Sequence, residues 1–392
     1  MGTIKIGGHF CKDCKIFTDK VEDSAMEQIR ELLDNPLFRG AKMRIMPDVH
    51  AGKGIVIGYT CRVEDFVNPE HVGLDIGCGI DTEIFDRPLP EKDYSLFEHR
   101  LRKEVPMGFD IHKDRQFEMK PFLKFMRQEL NRAYQSSGGR IDIIEWNSEQ
   151  EAFDWMKTVG IQPAVFLKSL RTLGGGNHFM EYEEGEDRWA FTVHTGSRGL
   201  GSKVFGKWNR IASAKGGYVF GNELRAYLTD MVITQAYAKY NRKLILDKAA
   251  EIMHKICGGK VDGIINTVHN YVDFRDMVLR KGAIRSYEGE LMVMPFNMRD
   301  GIAICQGLSN EDWNWSAPHG SGRLMSRTQA HRQLQMKGYK EEMQGVYSTS
   351  ICPETIDESP SAYKPTEDIL QAITLTCKVL YRLRSKINLK GK

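Results

Sequence analysis

Hydrophobic positions recur along the chain with two different spacings, and these predict a mixture of helices and strands. Apolar residues three or four positions apart indicate amphipathic helices, whereas short runs of β-branched and apolar residues indicate strands. The predicted helices are 23–35, 117–136, 222–256 and, with a basic last turn, 366–387. The predicted strands are 54–60, 190–194, 263–269 and 291–296. We expect an Asp or Ser cap at the start of the first helix.

The pattern predicts one large α/β (α+β) domain over residues 1–392, because no stretch rich in Pro, Gly or Ser divides the chain. Residues 137–163 are predicted to form a peripheral insertion. With 41% hydrophobic residues, the chain is long enough to bury a sizeable core. It contains no apolar run of about 18 residues, and its first residues lack the apolar segment of a signal peptide. We therefore expect a cytoplasmic protein that does not enter a membrane.

Charge and cysteine content narrow the function only slightly. The net charge of +3 does not indicate a nucleic-acid-binding protein, although 55 Lys and Arg residues leave room for a local basic groove. The 8 cysteines are scattered, as in proteins of a reducing compartment. Cys11 and Cys14 have the spacing of a zinc knuckle, but no second pair completes four ligands. We expect both to be buried apolar residues.

Four histidines fall at predicted strand ends or in glycine-rich turns, where binding sites are often built. They are His178, His194, His269 and His319. One such histidine alone is usually structural. Four of them, together with Asp75 and Cys78 of the glycine-rich turn VGLDIGCGI, favour a metal centre. Imidazole and thiolate suit Mn, Zn, Fe or Co better than Mg or Ca. One Asp, one Cys and three His would serve two metals about 3.5–4 Å apart.

This ligand count leaves one histidine free, and His319 best fits that description. It lies between proline and glycine in a loop where its imidazole would reach a substrate. The residues that follow it, Gly320 to Arg323, offer backbone N–H groups and a guanidinium to phosphate oxygens. A second turn of this kind surrounds Arg198. Two such turns favour a polyanionic substrate.

At these residues the chain resembles the RtcB family of RNA-splicing ligases, and the resemblance covers essentially its whole length. The matching segments are MPDVHAGKG, GLDIGCG, GGNHFMEY, VHTGSRGLG, HNY, SAPHGSGR, DESPSAYK and a Lys-Gly near the C-terminus. The resemblance implies a fold of β-sheets and helices around a central cleft that holds two Mn(II) ions. It also implies a GTP-dependent ligase that joins an RNA 3′-phosphate or 2′,3′-cyclic phosphate end to a 5′-hydroxyl end.

The resemblance also implies a role for each metal-site residue. Cys78 would bridge the two metals, Asp75 and His178 would complete one site, and His194 and His269 would complete the other. His319 would be the nucleophile that attacks the α-phosphate of GTP and carries GMP. From the two glycine-rich turns described above, we expect Arg198 and Arg323 to contact substrate phosphates.

A further group of residues would hold the guanylate. They are Asn177, His178, Phe179, Met180, Glu181, His269, Asn270, Pro295, Phe296, Asn297, Met298, Ile302, His319, Gly320, Ser321, Gly322, Tyr363 and Lys390. Glu181 could accept hydrogen bonds from N1–H and N2–H of guanine, which adenine lacks. The chain departs from the family at Ile302, where many members have a small hydroxyl residue. It also runs one lysine past the usual Lys-Gly, so either Lys390 or Lys392 could meet the base.

Two alternatives stay open. A two-metal site in a basic groove also suits a phosphodiesterase or nuclease that does not use GTP. A third interpretation is a non-catalytic RNA-binding or zinc-stabilised protein. Within the favoured interpretation the natural RNA is open, we expect a monomer, and no feature of the chain demands an accessory activator protein.

Overall fold

The computed structural model describes residues 2–114 and 117–391. Its strands are β1 Ile4–Ile6, β2 Asp13–Ile16, β3 Lys42–His50, β4 Ile57–Arg62, β5 Phe66–Val67, β6 Gly79–Phe85, β7 Phe179–Glu184, β8 Trp189–Thr195, β9 Val219–Phe220, β10 Val261–Val268, β11 Asn270–Asp273, β12 Val278–Lys281, β13 Ala283–Arg285, β14 Leu291–Pro295, β15 Ile302–Gly307, β16 Ser316–Pro318 and β17 Cys377–Leu389. Its α-helices are α1 Asp23–Leu33, α2 Pro69–Val72, α3 Tyr94–Glu104, α4 Met119–Ser137, α5 Glu149–Val159, α6 Pro163–Lys168, α7 Arg198–Ser213, α8 Gly221–Cys257, α9 Arg327–Gln333, α10 Met336–Glu342 and α11 Thr366–Ala372.

Two sheets organise these elements. A six-stranded sheet has the order β1-β2-β3-β4-β12-β11, and a seven-stranded sheet has the order β10-β6-β8-β7-β17-β15-β14. Pairing in both sheets is antiparallel except between β2 and β3. The predicted α/β fold class is thus confirmed.

The helices pack on these sheets around the long helix α8, which contacts α3, α4 and α7 and lies across β6 and β8. The largest apolar cluster joins α1, α4, α5, α7 and part of α8 to the six-stranded sheet. It contains Cys11 and Cys14 as buried residues. A second cluster joins α3 and the rest of α8 to the seven-stranded sheet. Both clusters are built from the apolar faces that the helical spacing predicts.

The prediction of a terminal helix over 366–387 is wrong. The helix α11 ends at Ala372, a short 3-10 turn covers Ile373–Leu375, and the chain then enters the strand β17. From Leu383 to Ile387 every second residue is buried, and the residues between them are half-buried or exposed, which is the strand period of two. Pairing with β7 on one side and β15 on the other decides the conformation of this segment.

Smaller differences concern element ends. Helix α1 begins at Asp23, and its N-cap residue is Glu22, whose side chain makes no capping hydrogen bond, so the expected Asp or Ser cap is wrong. The strand expected at 54–60 runs from Ile57 to Arg62. Within 137–163, Ala152 and Met156 of α5 are buried in the largest cluster. Description of this segment as a peripheral insertion stays a prediction.

The helices of the described ranges, 2–114 and 117–391, include none with the length and apolar character that crossing a membrane requires.

Candidate metal centre and adjoining cleft

A tight turn between α2 and β6 places Asp75 and Cys78 on the same side of the chain. The main-chain N–H of Cys78 donates to the carbonyl of Asp75 at 3.1 Å. Gly77 has a φ of +72°, and a Cβ there would lie 2.7 Å from Cα of Gln235 in α8. Glycine is therefore needed at this position, because any side chain would push the turn away from α8.

Three histidines from separate elements meet this turn. His178 precedes β7, His194 lies in β8, and His269 joins β10 to β11. Sγ of Cys78 lies 3.3 Å from Nε2 of His194 and 3.6 Å from Nε2 of His178. The Nε2 atoms of His194 and His269 are 3.4 Å apart, and Nε2 of His178 lies 2.9 Å from Oδ2 of Asp75. The structure thus brings together all five residues that we predict as metal ligands.

The hydrogen bonds of the His178 and His194 rings show which ring nitrogen carries the hydrogen and which has the lone pair. Nδ1 of His178 lies 3.0 Å from the carbonyl of Leu173, and Nδ1 of His194 lies 3.1 Å from the carbonyl of Asn177. A carbonyl only accepts, so each Nδ1 carries the hydrogen and each Nε2 is unprotonated in the neutral ring. Lone pairs of nitrogen, sulfur and oxygen atoms then face one another. A bound cation would stabilise this arrangement. The donor set fits a borderline transition metal.

The protonation of these groups agrees with metal binding. Burial lowers the pKa of His194 and His269 well below the usual value, so both rings are neutral. Burial opposes ionisation of Asp75, but the hydrogen bonds that its carboxylate accepts outweigh this effect and lower the pKa of the carboxyl. Burial, with the charge of Asp75, raises the pKa of the Cys78 thiol well above its usual range. Of these groups, the thiol is the one that must lose a proton when a metal binds.

His319 lies beside this cluster and is held by a carboxylate that the sequence interpretation missed. Its ring centroid is 4.9 Å from that of His269. Nδ1 of His319 lies 2.7 Å from Oδ2 of Asp48 in β3, and the main-chain N–H of His319 donates to the same oxygen at 3.1 Å. Asp48 is fully buried. Nε2 of His319 has no hydrogen-bond partner in the described ranges, 2–114 and 117–391. The MPDVH motif contains Asp48 and was the sequence signal for it.

The cluster and His319 open into a cavity of about 720 Å³. Most residues predicted to hold the guanylate line it: Asn177, Phe179, Glu181, His269, Asn270, Pro295, Phe296, Asn297, Met298, His319, Gly320, Ser321, Gly322, Tyr363 and Lys390. Arg323 lines it as well. Lys392 lies outside the described residues. A cavity of this size accommodates a nucleotide.

Four predicted residues lie elsewhere. The side chains of Met180 and Ile302 are fully buried in apolar clusters and do not line the cavity. His178 lies behind the lining, where it meets Asp75. Arg198 also does not line it, and its guanidinium donates to Oγ1 of Thr172 and to the carbonyl of Gly108.

Glu358, which the sequence interpretation also missed, organises one wall of the cavity. Its carboxylate lies 2.8 Å from Nζ of Lys390, 2.7 Å from Arg327 and 3.1 Å from Arg323, and it accepts from the Tyr363 hydroxyl at 2.6 Å. Burial opposes ionisation, but the charges of Lys390, Arg327 and Arg323 outweigh it and lower the pKa of Glu358 to about 2. The DESPSAYK motif contains Glu358, but the sequence analysis assigned a role only to Tyr363 of that motif.

Glu181 on β7 presents a second buried carboxyl to the cavity. Oε2 accepts a hydrogen bond from the side-chain amide of Asn388, whereas Oε1 has no partner among residues 2–114 and 117–391. Burial raises the pKa of this carboxyl, and its hydrogen bonds and Lys390 oppose the shift. A ligand with N–H donors would satisfy the unpaired oxygen.

Comparison with known proteins identifies the family of the chain. The family model described as tRNA-splicing ligase RtcB matches residues 28–391, so the chain belongs to this family and the resemblance is confirmed. Among its relatives is the RNA-splicing ligase RtcB of Escherichia coli K12, 27% identical with 95% of each chain covered. The tRNA-splicing ligase RtcB of Archaeoglobus fulgidus is 27% identical, with 93% of this chain and 90% of the relative covered. The RNA-splicing ligase RtcB of Mycobacterium tuberculosis is 24% identical, with 83% of this chain and 91% of the relative covered.

Proposed function

We propose that the protein is a GTP-dependent RNA ligase that joins a 3′-phosphate or 2′,3′-cyclic phosphate end to a 5′-hydroxyl end. One observation carries the proposal: the five residues that we predict as metal ligands converge beside an imidazole whose Nδ1 is held by Asp48. Nε2 of this imidazole has no hydrogen-bond partner among residues 2–114 and 117–391. A hydrolase would need the metal ligands but not this oriented imidazole.

Cys78 would bridge two Mn(II) ions, with Asp75 and His178 at one ion and His194 and His269 at the other. The ions, when bound, would neutralise and polarise phosphate oxygens. The neutral imidazoles and the carboxylate are ready to bind, and the thiol would release its proton to become a ligand.

His319 would attack the α-phosphate of GTP through Nε2 and form a phosphoramidate with GMP as pyrophosphate leaves. Asp48 accepts the Nδ1 hydrogen, which sets the reactive tautomer and stabilises the positive charge that develops on the ring. The RNA 3′-phosphate would then take GMP from His319, and the 5′-hydroxyl of the second RNA would displace GMP. A cyclic phosphate end would first be opened by water to leave a 3′-phosphate.

The guanine base would lie against Glu181, whose unpaired Oε1 supports this placement. Lys390 and Tyr363, both held by Glu358, would close the pocket around the base. Arg323 would contact phosphate at the cavity wall, and Arg198 would act on substrate phosphate only after leaving its present hydrogen bonds. The side chain of Ile302 is fully buried and carries no hydroxyl that could donate to GTP.

The test is incubation of the protein with α-labelled GTP and Mn(II), followed by addition of RNA with a 3′-phosphate and RNA with a 5′-hydroxyl. We expect labelled protein, transfer of label to RNA and then a ligated product. His319→Ala should take up no label, whereas label retained by this variant would move the nucleophile elsewhere. If wild-type protein takes up no label but cleaves RNA, the metal-dependent phosphodiesterase or nuclease is the better assignment.

We also propose the RNA partners, the oligomeric state and the cellular location of the protein. The partners would be RNA ends produced in RNA repair or tRNA splicing, the protein would act as a monomer in the cytoplasm, and an accessory activator would not be required.

A further inference from the structure

Arg242 contacts the backbone of the candidate metal centre, and the ligase reaction proposed above gives it no role. It belongs to α8, and its side chain is fully buried. One nitrogen of its guanidinium, Nη1, donates to the carbonyl of Gly77 at 3.0 Å and to the carbonyl of Thr195 at 2.9 Å. Gly77 precedes Cys78 in the chain, and Thr195 follows His194. A single side chain therefore holds the backbone beside two predicted metal ligands.

The strand β6 leaves space for this guanidinium at its first residue. A Cβ at Gly79 would lie 3.2 Å from Cζ and from Nη2 of Arg242, and 2.4 Å from the carbonyl oxygen of Thr267. Gly79 pairs with Thr195 in β8 and with Val268 in β10. Because this residue is a glycine, the guanidinium packs against the backbone at the point where the three strands meet.

The three segments that meet here carry three of the predicted ligands. β6 begins one residue after Cys78, β8 contains His194, and β10 ends one residue before His269. The main-chain N–H of His269 donates to the carbonyl of Cys78 at 3.0 Å, which joins two of the segments directly. Arg242 joins the Cys78 segment to the His194 segment from the side of α8. A shift of these contacts would change the separation of Sγ of Cys78 from Nε2 of His194, which is 3.3 Å.

Asp81 on β6 fixes the orientation of the guanidinium. Its Oδ2 lies 3.0 Å from Nε of Arg242, and both side chains are buried. Burial of an ion pair costs desolvation free energy, so such a pair is weak evidence for stability. The planar fork of arginine contacts a carboxylate and two carbonyls at fixed angles, whereas the single ammonium group of lysine does not offer this geometry. The pair therefore suits a group that fixes the positions of backbone segments.

We propose that Arg242 is a positioning residue of the metal centre, which holds the Cys78 turn and the end of β8 at the separation that a shared pair of ions requires. The inference rests on the proposed function, because it concerns the metal ions of that reaction. In this role Arg242 acts through the backbone of Gly77 and Thr195 and does not bind an ion itself.

The test measures metal binding to protein freed of metal, without GTP or RNA. Mn(II) is titrated into wild-type protein, Arg242→Lys and Arg242→Met, and calorimetry gives the number of bound ions and their dissociation constants. We expect wild-type protein to bind two ions, and both variants to bind them about 10- to 100-fold more weakly, the usual cost of disturbing groups that orient metal ligands. Arg242→Lys keeps a positive charge beside Asp81, so it separates the effect of the fork from that of the charge. If Arg242→Met does not fold, Arg242→Lys decides the test.

Arg280 provides a matched control, because it makes the same kind of buried contacts at another place. Its guanidinium lies 2.9 Å from Asp273 and donates to the carbonyls of Asn314 and Trp315. In urea unfolding, Arg280→Lys and Arg280→Met should lose stability much as the Arg242 variants do. They should nevertheless bind Mn(II) with wild-type affinity.

Cobalt gives a second readout that a general loss of stability does not change. The absorption of a Co(II) ion bound by a thiolate depends on the geometry of its ligands. At saturating Co(II), we expect the same thiolate band in wild-type protein and Arg280→Lys, and a weaker or shifted band in Arg242→Lys.

Two results would overturn the assignment of Arg242. One is wild-type affinity for Mn(II) and an unchanged cobalt band in Arg242→Lys. The other is an equal loss of metal affinity in the Arg242 and Arg280 variants. Failure of wild-type protein to bind either metal would instead contradict the metal centre of the proposed function.

Discussion

Oδ2 of Asp48 lies 2.7 Å from Nδ1 of His319, although 271 positions separate the two residues in the chain. The carboxylate is fully buried, and its second oxygen has no partner among residues 2–114 and 117–391. Its position gives His319 one reactive nitrogen, Nε2, beside the metal ligands. The nucleophile of the proposed reaction thus depends on a residue of β3 in the six-stranded sheet.

Replacement of Asp48 by Ala should slow the uptake of label from GTP by about 10²- to 10⁴-fold, because His319 loses both its orientation and the charge that stabilises its cationic form. The measurement is a time course of labelled protein at saturating GTP and Mn(II). Asp187→Ala, at an exposed position in the β7–β8 turn, is the control. A wild-type rate for Asp48→Ala would show that the hydrogen bond is only structural.

Replacement of Cys78 by Ala should abolish guanylylation and ligation together and should lower the metal content of the purified protein. The reason is that Sγ of Cys78 lies within 3.6 Å of two predicted ligands, one for each metal. Metal content can be measured by mass spectrometry after loading with Mn(II) and removal of excess ion. Cys11→Ala changes a buried thiol of the core and should leave the metal content unchanged. Full activity of Cys78→Ala is incompatible with a bridging thiolate.

Replacement of Glu181 by Gln should weaken GTP binding and reduce the preference for GTP over ATP. An amide offers one acceptor where a carboxylate offers two, and N1–H and N2–H of guanine require both. Burial raises the pKa of Glu181, whereas two N–H donors favour its ionised form. GTP binding to wild-type protein should therefore tighten as the pH rises above neutrality, and binding to the variant should not. Isothermal titration over this range measures both effects, and an unchanged nucleotide preference would remove Glu181 from base recognition.

Replacement of Glu358 by Gln should lower the free energy of unfolding by about 3–5 kcal/mol, because three buried or half-buried cations lose their shared anion. Urea unfolding measures this difference. Glu367→Gln removes an exposed ion pair with Arg382 and should cost less than about 1 kcal/mol. Equal effects of the two substitutions would contradict the role assigned to Glu358.

The contribution of Glu358 should also depend on pH with a defined sign. Its pKa falls from an ordinary value of 4.5 to about 2 in the folded protein. A lowered carboxyl pKa stabilises the folded state above the unfolded value, and this contribution disappears as the pH falls through the folded value. The stability difference between wild-type protein and Glu358→Gln should therefore be complete at neutral pH and shrink between pH 4.5 and pH 2. A difference that does not change over this range would place the effect in packing instead of charge.

The chemistry of the candidate site could be predicted from the sequence, because it depends on which residues stand at turns and strand ends. Asp75 and Cys78 stand three positions apart in a glycine turn, His194 and His269 end predicted strands, and His178 follows a run of glycines. These local patterns, with the family resemblance, were enough to name the five converging residues and His319. The long helices were predicted for the same reason, since an amphipathic face repeats within a few residues.

Tertiary structure alone decided the features that join distant segments. Residues 377–389 form a strand because β7 and β15 supply partners on both sides, and no local pattern records that pairing. The hydrogen bonds of Asp48 to His319 and the ion pairs of Glu358 to Lys390 join residues that are remote in sequence. A sequence determines which groups are available and how its local segments prefer to fold. Which groups meet depends on the packing of the whole chain, because burial and hydrogen bonding are satisfied only after distant elements come together.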